Sequence, residues 1–194
     1  RHSPQEAAFE TLAQALVFKD GFVGVRVHSA GLGNPPSKFK EVFKQAKEAG
    51  FKLVAHAGEE ADFSYIYEAL DLLNIHRIDH GVQSIKSPEL MQRLKDEQMP
   101  LTVCPNSNIE LKVFDNYKEH NIKELLDYGL NITVNSDDPA YFKGYMNQNF
   151  INICENLPLT EDDVVTLVKN SFRSAFISEA LKEEYLARVD FAQQ

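Results

Sequence analysis

Five short apolar runs, each followed by a stretch of helical periodicity, constrain this chain more than any other feature. The runs are FVGVRV (22–27), FKLVAHA (51–57), IHRIDHG (75–81), LTVCPN (101–106) and LNITVNS (130–136). They have strand length, and several are rich in β-branched residues, as strands buried on both faces should be. Between the first two, residues 37–48 set Phe39, Val42, Phe43 and Ala46 on one helical face, and Gly50 stops the pattern. Segments 60–73, 88–98 and 122–128 read the same way. One helix (4–17) precedes the first run, and two or three follow the last. Strand–helix alternation at this spacing means parallel strands joined by crossover helices, an α/β fold. Five strands make either an open doubly wound sheet or most of a closed eight-stranded barrel. No repeat or linker interrupts the rhythm, so residues 1–194 are expected to form a single domain.

The ionisable residues are not scattered. Run after run ends in side chains able to bind a metal or move a proton: His28, then His56-Ala-Gly-Glu59, then Asp79-His80-Gly81, then Cys104-Pro105-Asn106, then Ser136-Asp137-Asp138. In barrels and open α/β sheets alike, chemistry is assembled at the C-terminal strand edge. Histidine nitrogen and carboxylate oxygen are ordinary zinc donors, so this pattern points to a metal-dependent hydrolase. Nucleotide folds lose ground: the GLG at 31–33 is not continued into a phosphate-binding fingerprint, and Pro35 and Pro36 suit a rigid loop.

Each residue also has a bland reading. His56 alone could be a satisfied core histidine, and Glu59 a carboxylate favoured by a helix dipole. Asp137-Asp138 could form an Asx turn before Pro139, and His80 could merely pair with Asp79. Cys104 reads as an inert buried thiol, and Asn106 and Asn108 as loop-shaping residues that bond backbone amides. These readings would all have to hold together to dismiss the site.

HAGE at 56–59, RIDHG at 77–81, CPNSN at 104–108 and NSDDPAYF at 135–142 resemble, in order and spacing, the adenosine/adenine deaminase family of metal-dependent hydrolases. HAGE or DDP alone is a common match; the four together are specific, and the resemblance runs from about Phe22 to about Asn152. It implies a TIM (β/α)8 barrel of which this chain holds strands four to eight with their helices. It also implies roles: His56 and Asp137 as ligands of one Zn2+ per site, Glu59 as the general acid and base at purine N1, His80 as the residue orienting the attacking water, and Asp138 as a hydrogen-bond partner at the N7 edge of the base. GNPPSKF (33–39) and KGYMNQNF (143–150) resemble the adenine-specific branch, which implies hydrolytic deamination of adenine in purine salvage. Other members act on adenosine or N6-substituted adenine, and a purine-binding barrel fragment without turnover is the non-enzymatic alternative. The other zinc deaminase design, H-x-E followed by P-C-x-x-C, is absent.

Three departures from the family pattern matter. No His-x-His occurs, although the family's first strand supplies two zinc ligands in that form. Arg26, His28 and Gly31 stand in the fourth-strand region where relatives have a Gly-Leu-Asp-Ser run followed by a glutamate, and His28 reads as a loop-edge histidine or as a replacement ligand. Asn106 takes the place of a leucine. An incomplete barrel exposes strand edges, so the expected partners are a homo-oligomer or an N-terminal segment. A net charge of −9 excludes a phosphate-binding surface for nucleic acid, whereas a neutral purine base needs no basic channel. Short apolar runs exclude a membrane span, RHSPQEAAF is not a signal peptide, and two cysteines without C-x-x-C fit a reducing cytoplasm.

Overall fold

Each apolar run becomes a strand over only part of its length. In a computed structural model, which describes residues 3–28 and 31–193, all five runs supply a strand, β1 (Gly24–Val27), β2 (Lys52–Ala57), β3 (Arg77–His80), β4 (Leu101–Val103) and β5 (Ile132–Val134). The chain divides into two compact units, Arg1–Gln92 and Arg93–Gln194.

In the first unit α1 (Gln5–Leu16) precedes β1, α2 (Lys40–Glu48) joins β1 to β2, and α3 (Ser64–Leu73) joins β2 to β3. Both strand pairs are parallel, with Val25 opposite Leu53 and His56 opposite Asp79. Side chains alternate across a strand, so this register sorts them by face. Leu53, Ala55 and Ile78 share one face and are fully buried. Helices α2 and α3 lie against β2, burying Val42, Phe43 and Ala46 from one and Ile66, Ala69 and Leu73 from the other. Each fully buried leucine or isoleucine stabilises such a layer by roughly 1.5–3 kcal/mol. The opposite face carries Arg26, Val54, His56, Arg77 and Asp79. Parallel strands are normally apolar on both faces, so four polar residues on this one are spent on something other than stability.

The second unit pairs β4 with β5 in parallel, Leu101 opposite Ile132 and Val103 opposite Val134. Around them run α5 (Pro105–Glu110), α6 (Ile122–Tyr128), α7 (Met146–Asn156), α8 (Glu161–Ser174) and α9 (Glu179–Ala192); α4 (Pro88–Asp96) bridges the two units in sequence. Helix α8 starts at a capping box in which Thr160 and Asp163 satisfy each other's backbone amides. It packs on β5 through buried Leu167.

His120, in the turn between α5 and α6, is buried within this unit. Its Nδ1 accepts from the Ile122 amide at 3.1 Å, which leaves Nε2 to donate to Asn108 Oδ1 at 3.3 Å. A second ring proton would face an N–H donor, and burial holds the imidazole down to about 4. The unfolded chain takes up this proton near pH 6.5 and the folded chain only near 4, so this stabilisation is complete above 6.5 and lost as pH falls towards 4. His120→Gln should therefore reduce the stability difference between pH 7.5 and pH 5 by about 2 kcal/mol in urea unfolding. An unchanged pH dependence would show that His120 is not the group responsible.

Candidate active site

The polar face of the first unit gathers its ionisable residues at the end of β2. Asp79 Oδ2 lies 3.2 Å from His56 Nε2, His56 Nδ1 lies 3.2 Å from His80 Nε2, and His80 Nδ1 lies 3.1 Å from Glu59 Oε1. Four side chains thus form an unbroken string, Asp79–His56–His80–Glu59. His80 is only 1 % exposed and Asp79 only 7 %, so these contacts operate out of reach of bulk water.

Two backbone features make the string. Strict alternation would turn His80 to the helix-covered face that carries Ile78. Its φ of +69° breaks the alternation at the last residue of β3 and lets the ring meet His56. A non-glycine residue in the left-handed region is uncommon and costs energy, and such residues concentrate at functional sites. Gly58 is the second feature. Its φ is +65°, and a β-carbon there would sit 2.4 Å from Ile66 Cδ1, so the turn that presents Glu59 accepts only glycine. Gln83 closes the turn, donating from its amide to the Gly58 carbonyl and from its side chain to the Glu59 carbonyl.

Burial pushes His80 down to about 3, helped by the neighbouring His56 and opposed by Asp79. His56, Glu59 and His80 each offer a ligand atom, all within 4.8 Å of one another. Imidazole nitrogen and carboxylate oxygen are donors that zinc takes. The residues present fit the ion.

His28 stays at the margin, its ring centroid 6.0 Å from that of His56 and outside the donor group. Arg26 and Arg77 reach Asp79 instead, at 3.9 and 3.8 Å.

In the second unit, Asp137 and Asp138 follow β5. Asp137 is another non-glycine residue with positive φ, +55°, and is half-buried, while Asp138 is exposed. The Asp138 carbonyl accepts the amides of Tyr141 and Phe142, which makes the Asp-Asp pair the start of a folded turn. Lys143 pairs with Glu110 at 3.0 Å, tying that turn to α5. Asn106 and Asn108 are not loop residues; Pro105 at the first helical position places them inside α5. Their side chains join side-chain networks, Asn108 Oδ1 meeting His120 Nε2 at 3.3 Å. Asn106 Oδ1 accepts from Tyr117 Oη and Asn152 Nδ2, both at 2.9 Å, and the Asn106 amide is bound by Asn149 Oδ1. Cys104 is a buried thiol directed at the Thr102 carbonyl.

The register explains what inspection of the motifs overlooks. Asp79 and Arg77 share β3 parity with each other and face His56 and Val54 across the pair, so the outer half of the string follows from strand pairing. No motif marks Asp79 apart from its neighbour His80.

The chain is similar to known proteins over its whole length. The family model described as adenosine deaminase matches residues 1–192. An adenine deaminase from Psychrobacter cryohalolentis is 83% identical over 192 residues, which is 99% of this chain and 58% of that protein. An adenine deaminase from Hahella chejuensis is 56% identical over 98% of this chain and 57% of its own length. The chain therefore spans somewhat over half of the curated relatives it matches. A crystal structure of adenine deaminase from Arthrobacter aurescens superimposes with a TM-score of 0.96 at 44% identity, covering 100% of this chain and 59% of that one. The α/β architecture is thus part of a (β/α)8 barrel, as the strand–helix alternation and the motifs imply. Among the described residues, no helix is long and apolar enough to cross a membrane.

Proposed function

The chain belongs to the adenosine deaminase family, and from that premise we propose that the protein carrying it hydrolyses adenine to hypoxanthine and ammonia. The observation that carries this reading is the Asp79–His56–His80–Glu59 string, which sets His56, a zinc donor, beside a buried histidine and a carboxylate able to hold and move a proton. The names of relatives at 83% and 56% identity, and of a solved structure at 44%, support adenine as the substrate.

His56 would hold Zn2+, and Asp137 is proposed as a ligand from the family motif that it matches. When bound, the ion lowers the pKa of water enough to make a nucleophile available near neutral pH. The remaining work falls to side chains. Glu59 delivers a proton to purine N1, which makes the amino-bearing carbon electrophilic, and recovers one from the attacking water. His80, neutral through burial, keeps Nδ1 on Glu59 and would orient the water through Nε2, the nitrogen that otherwise faces His56. The water oxygen bonds to the ring carbon, its remaining proton passes to the amino group, and the C–N bond breaks to release ammonia and leave the carbonyl of hypoxanthine. Asp138 is assigned to the N7 edge of the base. The product is consumed in purine salvage, and the setting is cytoplasmic.

Substrate assignment is tested by kcat/KM for adenine and adenosine with the protein that carries this chain. Adenine should be favoured by about 10²-fold or more, a discrimination that a site built to hydrogen-bond the base can reach. Equal or better use of adenosine would overturn the assignment.

A further inference from the structure

The geometry points to Asp79 as a positioning residue of the cation site, a carboxylate fixed between Arg26 and Arg77 that holds the His56 ring. The proposal rests on the zinc-dependent reading above and adds a residue to it.

Three observations carry it. Asp79 is the direct register partner of His56 on the neighbouring parallel strand, so the two side chains leave the sheet on the same face. Its Oδ2 stands 3.2 Å from His56 Nε2, an ion-pair distance, while the other ring nitrogen faces His80, so the imidazole is flanked at both nitrogens. The carboxylate is itself fixed, with Arg26 Nη1 3.9 Å from Oδ2 and Arg77 Nε 3.8 Å from Oδ1, and its side chain is 9% exposed. A buried carboxylate without such partners would be strongly destabilising.

A metal can take only one nitrogen of His56. If it takes Nε2, Asp79 becomes a fixed negative charge beside the ion. If it takes Nδ1, Asp79 accepts the Nε2 proton and sets the tautomer and tilt of the ring. In both arrangements the carboxylate charge favours the loaded site, as acceptors behind metal-binding histidines generally do. Arg26 thereby gains a role. It belongs to the segment that departs from the family pattern, and it secures Asp79.

The test measures zinc affinity by competition with a chromophoric chelator, using the full protein that carries this chain. Asp79→Asn keeps the shape and removes the charge, and should weaken zinc binding about 10- to 100-fold. Asp79→Glu keeps the charge between the arginines, which protects folding, but moves the carboxylate by one methylene. It should lie between Asp79→Asn and the parent. Thermal midpoints recorded alongside separate positioning from packing, since a merely structural role would lower the midpoint and leave zinc affinity alone. Zinc binding as tight as the parent's in both variants overturns the proposal. A parent that binds zinc but releases no ammonia from adenine removes the substrate reading while the affinity ratio still decides the role of Asp79. A parent that binds no zinc removes both.

Discussion

Glu59→Gln is expected to lower kcat for adenine by about 10²–10⁴-fold, the range that positioned proton transfer contributes, while KM changes by only a few-fold. Glutamine preserves the volume of the side chain and its approach to His80 but can neither give nor recover a proton. The backbone around it should not move, because Gly58 and the two hydrogen bonds from Gln83 fix the turn independently of the carboxylate. The loss should therefore appear in kcat, measured as ammonia release at saturating adenine. Retention of a tenth or more of the parent rate would remove Glu59 from the proton-transfer role.

His56→Ala should cost more, because it takes away both a metal donor and the centre of the string. Zinc content is expected to fall from about one per chain to near zero, beyond the 10- to 100-fold weakening that loss of a supporting residue produces, and adenine turnover should fall to background. Asp79 and His80 each lose their contact with His56 in this variant, and Asp79 keeps its arginines. Metal analysis together with ammonia release checks both parts. Normal zinc content in the variant would show that His56 is not a ligand.

The elements that periodicity defines were readable in advance, and those set by long-range pairing were not. The short apolar runs located each of the described strands, and Gly50, with φ of +86°, ends α2 where expected. Boundaries shrank for local reasons. Phe22 and Val23 are apolar yet exposed, so β1 starts only at Gly24. The α3 pattern reaches back to residue 60, but Asp62 Oδ1 accepts the Ser64 amide at 2.7 Å and starts the helix there. The fourth run ends as a strand at Val103 because Pro105 opens a helix, which also turned Asn106 and Asn108 from loop formers into members of side-chain networks. At the site, His56, Glu59 and His80 were legible from motifs, and the structure brings these three together. The left-handed turn at His80 was not, since nothing in RIDHG announces a positive φ on histidine. Asp79 was legible as a strand-end carboxylate, but its pairing with His56 lies across a register that only the folded sheet reveals.

The central claim is that His56 anchors a zinc ion beside Glu59 and His80. Anomalous scattering at the zinc edge, from crystals of the protein that carries this chain, tests it most directly. The account predicts a peak about 2.0–2.1 Å from a His56 ring nitrogen. Zinc bound at another place in the protein, with no peak at His56, would contradict it.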